Sequence, residues 1–206
     1  MIDFFVKGGF MMVPMIFVSV AAVGFMIERG LALRRDKVLP PEVLQGLNDF
    51  QKNGNKEKLK RSCEATPSAL SRLLVCSLEH SSQSRKENQD AVETQARKEV
   101  ILLEKWLVFL EITVGIAPLM GLLGTLHGMI TLFGGLGANF GAADPAIIAA
   151  GISVTLNVTF MGLAIAIPSL IGWSFYSKRV EILTAELETS LGEFIQLLYR
   201  GKKKTD

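Results

Sequence analysis

Residues 117–133 read APLMGLLGTLHGMITLF, and residues 151–173 read GISVTLNVTFMGLAIAIPSLIGW. No Asp, Glu, Lys or Arg occurs in residues 112–143 or 145–177. Each run exceeds the ~20 apolar residues that cross a bilayer. A third uncharged run, FMMVPMIFVSVAAVGFMI over residues 10–27, reaches that length once residues 4–6 or a little tilt are allowed. Three membrane helices are predicted, over residues 7–27, 106–135 and 147–177. Ser19-Val20-Ala21 loosely resembles a leader cleavage site, but Asp3 beside Lys7 and the length of the run favour a span.

The second and third spans carry small and hydroxyl residues at helical spacing. Gly121, Thr125 and Gly128 share one face, with Gly124 and Gly128 forming a GxxxG. Gly151, Thr155, Thr159 and Gly162 repeat the pattern. In lipid such a stripe must meet another helix or water, and close backbone approach in a ring of these two spans is expected.

Outside the spans the chain is charged but balanced. Its 206 residues are 49% hydrophobic and carry a net charge of +2, which gives no sign of a nucleic-acid partner. Residues 28–105 hold 15 Lys or Arg against 12 Asp or Glu, and read as a helical region in water. Pro41 marks a helix start, Asn53-Gly54-Asn55 a break, and Thr66-Pro67 a cap followed by an N1 proline. From Asn88 the pattern Ala91, Val92, Ala96, Val100, Leu103, Leu107 predicts one helix running unbroken into the second span. Residues 178–206 are expected to continue the third helix, with Ile182, Leu183, Leu187, Leu191, Phe194 and Leu198 as an apolar stripe packing on that long helix. Cys63 and Cys76 have neither disulfide nor metal spacing and read as reduced thiols.

Orientation follows from Arg29, Arg34, Arg35 and Lys37 after the first span and from Lys178, Arg179 and the GKKK end after the third. The loop over residues 136–146 holds only Asp144. The N-terminus and this loop are therefore expected outside, with residues 28–105 and 178–206 in the cytoplasm. Trp106, Trp173 and Tyr176 would form a belt on the cytoplasmic side.

Enzyme motifs are absent: there is no HExxH, Walker loop, CxxC or GxSxG, and LFGGLGANFGAAD lacks the Lys-Ser/Thr ending of a phosphate loop. No cofactor or metal is expected. An ion path fits better, because Thr125, Thr155, Thr159 and Asn157 lie at membrane depth, where polar groups turn inward. Thr131 and Ser169 read as bonding back to their own helix; for Asn157 both readings stay open. A proton-driven device needs a titratable group near the midplane. Only His127 stands there, since Glu111 and Asp144 lie near the edges. Either His127 relays protons or another chain brings a carboxylate.

APLMGLLGTLHGMI, AADPAIIAAGIS and VTFMGLAIAIPSL, with Glu28-Arg29 after the first span, resemble the TolQ/ExbB/MotA proton-channel family, nearest its ExbB and TolQ branch. The resemblance implies an all-α inner-membrane stator subunit, a homopentamer around an ExbD- or TolR-like single-pass partner whose transmembrane Asp carries the proton. It also implies roles for Thr125 and Thr159 in the ion path, and it matches Pro118 and Pro168 to the family's two helix prolines. Where many members have a glutamate this chain has Val154. No role for that acid carries over, and Thr155 with Asn157 would supply the local polarity.

Overall fold

The computed structural model describes residues 11–138 and 145–200, the side chains of 136–138 and 147 excepted. Residues 7–10 of the expected first span, most of the 136–146 loop with Asp144, and the GKKK end lie outside the described residues. Within them the elements are α1 (Met12–Ala32), α2 (Arg35–Val38), α3 (Pro41–Asn53), α4 (Lys56–Ala65), α5 (Ala69–Glu79), a short 3-10 turn (His80–Ser82), α6 (Arg85–Glu104), α7 (Leu107–Ala138) and α8 (Pro145–Arg200). No strand occurs among the described residues. Three helices are long and apolar enough to cross a membrane, over Met12–Ala32, Leu107–Gly135 and within Ile148–Arg200. The chain is an all-α membrane protein, folded as two units: residues 11–28, 106–138 and 145–175, and residues 29–105 and 176–200.

Helix ends in the charged unit follow local chemistry. Pro41 occupies the first turn of α3, where its missing N–H costs nothing. Gly54 closes that helix at φ 65, the left-handed conformation that a side chain disfavours. The cap of α5 differs from expectation. Ser68, not Thr66, has the extended backbone, and its Oγ accepts the N–H of Ser71 at 3.1 Å. Thr66 instead ends α4, donating its hydroxyl to Glu42. Ser84 and Glu87 form a reciprocal capping box at the start of α6, and the Ser84 backbone N–H, then its hydroxyl, hold the Glu87 carboxyl below the usual range.

The predicted unbroken helix from Asn88 is in fact two. α6 ends at Glu104 and α7 begins at Leu107. Between them the N–H of Phe109 bonds to Trp106 O at 3.3 Å. No breaker residue stands at that point; the turn coincides with Trp106 stacking on Phe25 and lying 5.4 Å from Phe109. α8, by contrast, is continuous from the third span through the tail.

The tail stripe builds the core of the charged unit. Leu183, Leu187, Leu191, Phe194 and Leu198 are buried, while Ile182 turns outward. Phe194 meets Phe50 of α3 with ring centroids 5.2 Å apart, and the Tyr199 hydroxyl donates toward Gln83 O at 3.1 Å. Two buried polar groups here are paired, whereas the Thr184 hydroxyl is buried without a hydrogen-bond partner. Glu99, only 2% exposed, takes two bonds from the Arg72 guanidinium and one from Gln95. Asn88 exchanges bonds with Ser77. Both thiols are free, and burial pushes Cys63 up to about 11.

In the apolar unit Met15 of α1 packs with Ala117 of α7 and with Val158, Ile165 and Ala166 of α8. Little of the apolar surface is covered: 33% of the most apolar window is buried in each of α7 and α8, and 17% in α1. The remainder is left for lipid or other chains.

Candidate functional site

α7 and α8 meet along their glycines. A Cβ on Gly162 would fall 2.6 Å from the carbonyl oxygen of Ala117 and 3.2 Å from Gly121 Cα. A Cβ on Gly121 would fall 3.1 Å from Thr159 Cα. The two backbones therefore touch at Gly121 and Gly162, a distance that only hydrogen side chains allow. Further along the seam each glycine receives a side chain of the opposite helix. Val158 covers Gly124, Thr155 covers Gly128, and Leu132 covers Gly151. The stripe that sequence placed between helices is used here within one chain.

At the closest point the approach brings two hydroxyls together. Thr125 Oγ1 and Thr159 Oγ1 lie 3.0 Å apart. Thr125 can donate to Leu122 O at 2.8 Å or Gly121 O at 3.1 Å, and Thr159 can reach across to Gly121 O at 3.3 Å. Two protons are thus shared among two carbonyl acceptors and the pair itself. Rotation about the C–O bonds exchanges donor and acceptor without moving the backbone. Both residues are half-buried, so the pair is reachable from the side of the seam. Gly121 makes this possible twice over, by lacking a Cβ and by offering its carbonyl.

The other predicted residues divide. Thr155 is buried and donates to Ile152 O at 2.8 Å, with its methyl packed over Gly128. Asn157 is half-buried and lies two residues, or about 200°, around the helix from Thr159. Thr131 and Ser169 bond back to His127 O and Ile165 O, as expected. Pro118 and Pro168 lie inside helices that run on through them. His127 and Glu111 are exposed. Buried Thr113, which donates to Phe109 O at 2.8 Å, was not singled out by sequence; its only signal is a position eight residues, about two turns, before Gly121 of the small-residue stripe. Among the described residues no three His, Cys, Asp or Glu gather as a metal site would need.

The profile of the MotA/TolQ/ExbB proton channel family matches residues 56–189. The chain belongs to this family. An ExbB-like biopolymer transport protein of Synechocystis is 28% identical over 97% of this chain and 79% of its own length. An ExbB homologue of Methanothermobacter thermautotrophicus is 28% identical over 87% of this chain and 64% of its own length. The Tol-Pal system protein TolQ of Pseudomonas aeruginosa is 36% identical over 50% of this chain and 45% of its own. Membership in the MotA/TolQ/ExbB family carries a membrane proton-channel role of stator type. The matched segment includes all of α7, α8 as far as residue 189, and the hydroxyl pair.

Proposed function

We propose that this chain is the channel-forming subunit of a proton-driven stator in a bacterial inner membrane. Several copies, five by the resemblance, would surround an ExbD- or TolR-like single-pass partner and do work on an envelope target. The N-terminus and the 136–146 loop would face the periplasm. The observation that carries the reading is the Thr125–Thr159 hydroxyl pair, set in the charge-free runs 112–143 and 145–177. A proton carrier at the midplane must titrate, and hydroxyls do not at physiological pH. They can bond to a carboxylate in either protonation state, or hold a water beside it. The partner would bring that carboxylate and this chain the polar wall it moves along. One charge crossing ~100 mV releases about 2.3 kcal/mol, enough to drive conformational work.

The test is proton uptake into liposomes holding the chain with its partner. Thr125→Val and Thr159→Val keep the volume and remove the hydroxyl; each should assemble at wild-type yield yet lose most uptake, whereas Thr131→Val should not. Wild-type uptake in both variants would make the hydroxyls packing residues, as in a structural scaffold. Uptake by this chain alone would shift the role to His127.

A further inference from the structure

His127 of α7, exposed, and Asn157 of α8, half-buried, stand in the charge-free runs, and neither side chain bonds to another group among the described residues. The threonines of the same helices are served: Thr125 and Thr159 meet each other, and Thr131 and Thr155 bond back to their own helix. An imidazole or a carboxamide left against hydrocarbon loses the bonds water would give it, a cost that turns such groups toward another polar group. The seam fixes their depth. Along it α7 and α8 run in opposite directions, with Gly121 against Gly162, Thr125 against Thr159, Gly128 against Thr155 and Leu132 against Gly151. His127 lies two residues after Thr125 and Asn157 two before Thr159, so both stand about 3 Å from the hydroxyl pair toward the 136–146 loop, at one level. Two residues also turn each side chain about 200° from its threonine, away from the hydroxyl pair.

We infer that these two faces join copies of the chain: His127 of one copy hydrogen-bonds to Asn157 of the next. The inference rests on the proposed assembly of several copies and names the polar contact that sets its register. Each chain carries one imidazole on α7 and one carboxamide on α8, at the same depth and on different helices. They are complementary, because a carboxamide offers both N–H donors and a carbonyl acceptor and so matches an imidazole in any tautomer. A head-to-tail contact of α7 on α8 therefore forms one pair at every junction, and a closed ring leaves neither group unmatched. Apolar neighbours extend the contact, since Leu123 and Ile130 lie within one turn of His127, and Phe160 within one turn of Asn157, and all three are exposed. The occupant is a second copy and not the single-pass partner, because that helix is drawn to the hydroxyl pair on the other side of α7 and α8.

The chain has two cysteines, so the test starts from full-length Cys63→Ala, Cys76→Ala protein in membranes. Adding His127→Cys and Asn157→Cys together and oxidising with copper phenanthroline should give a ladder of covalent multimers in SDS gels. Leu119→Cys with Asn157→Cys, about 10 Å out of level, should give none. Native mass spectrometry of the cysteine-free protein separates the two readings: a monomer would overturn the multi-copy assembly and this inference with it, whereas an intact oligomer without the ladder would overturn the inference alone. A second set, with the native cysteines in place, reads the hydrogen bond itself through exchange of fluorescently labelled copies. His127→Leu strands the carboxamide and Asn157→Leu the imidazole, and each should speed exchange roughly threefold to tenfold. The two together leave no polar group unpaired and should return exchange to within about twofold of wild type. Additive acceleration in the double variant, or wild-type exchange in both single variants, would overturn the inference.

Discussion

Gly162→Ala is the most direct probe of the helix seam. The added methyl would sit 2.6 Å from Ala117 O, and ordinary contact begins at 3.4 Å, so α7 and α8 must separate locally by about 0.8 Å. The obstacle is backbone, which cannot swing aside as a side chain can. Overpacking of this kind costs about 1–3 kcal/mol. Transmitted to the hydroxyls one turn away, the same displacement would open their 3.0 Å contact to about 3.8 Å, beyond hydrogen-bond range. Two control variants isolate the clash. Gly115→Ala meets nothing within 4 Å and carries the same gain in helix propensity. Gly151→Ala meets only the tip of Leu132, which can rotate away. Unfolding in detergent by rising SDS fraction should rank Gly115→Ala most stable, Gly151→Ala close behind and Gly162→Ala about 1–3 kcal/mol below Gly115→Ala. Equal stability of Gly162→Ala and Gly115→Ala would refute the backbone contact.

Three further outcomes concern the charged unit. Arg72→Met leaves the 2% exposed Glu99 carboxylate with Gln95 as its remaining side-chain partner, and should lower stability by about 2–3 kcal/mol, discounted because Arg72 itself is half exposed; adding Glu99→Leu should restore most of it in a thermal melt. The Glu87 carboxyl is lowered from 4.5 chiefly by the Ser84 backbone N–H, so its contribution is present above 4.5 and is lost as pH falls through its folded value. The stability gap between wild type and Glu87→Gln should therefore close on acidification, and a gap constant from pH 7 to pH 3, roughly the range over which carboxylates titrate, would count against the capping box. Cys63, buried and raised to about 11, should resist maleimide at pH 8 while half-exposed Cys76 reacts, with peptide mapping after native labelling as the readout.

Much of the helical plan was legible because its signals are local. Charge-free length marked the spans, period 3.6 marked the buried face of the tail, and Gly54 marked a helix end. What escaped depends on partners distant in sequence. The residues from Asn88 to Leu107 contain no Gly or Pro to signal that the helix will break at Lys105; Trp106 and the rings of Phe25 and Phe109 meet at that point only in three dimensions. Thr66 and Ser68 are both good capping residues, and only the extended backbone at Ser68 decides between them. At the candidate site, spacing put Thr125 and Thr159 on small-residue faces, yet it could not say that these faces meet each other. Thr155 shares the spacing of Thr159 but covers Gly128 with its methyl and turns its hydroxyl back to Ile152.

That use of the glycines bears on assembly. A small-residue stripe can join helices within a chain or between chains, and here Gly121, Gly124 and Gly128 are already covered by Thr159, Val158 and Thr155 of the same chain. Gly128→Leu would therefore force α7 from α8 before it reached any neighbour. In the proposed complex, contacts between copies fall to the bulkier faces left open, Leu119, Leu123 and Ile130 on α7 and Leu156, Phe160 and Leu163 on α8. Such faces join by broad van der Waals contact, which tolerates sliding better than an interlocked glycine seam does. The hydroxyl pair lies at the edge of the rigid seam, half-buried, where a partner's helix can pass without prising α7 and α8 apart. A stator must hold its polar wall still while another helix moves, and a seam closed within each subunit separates those two demands.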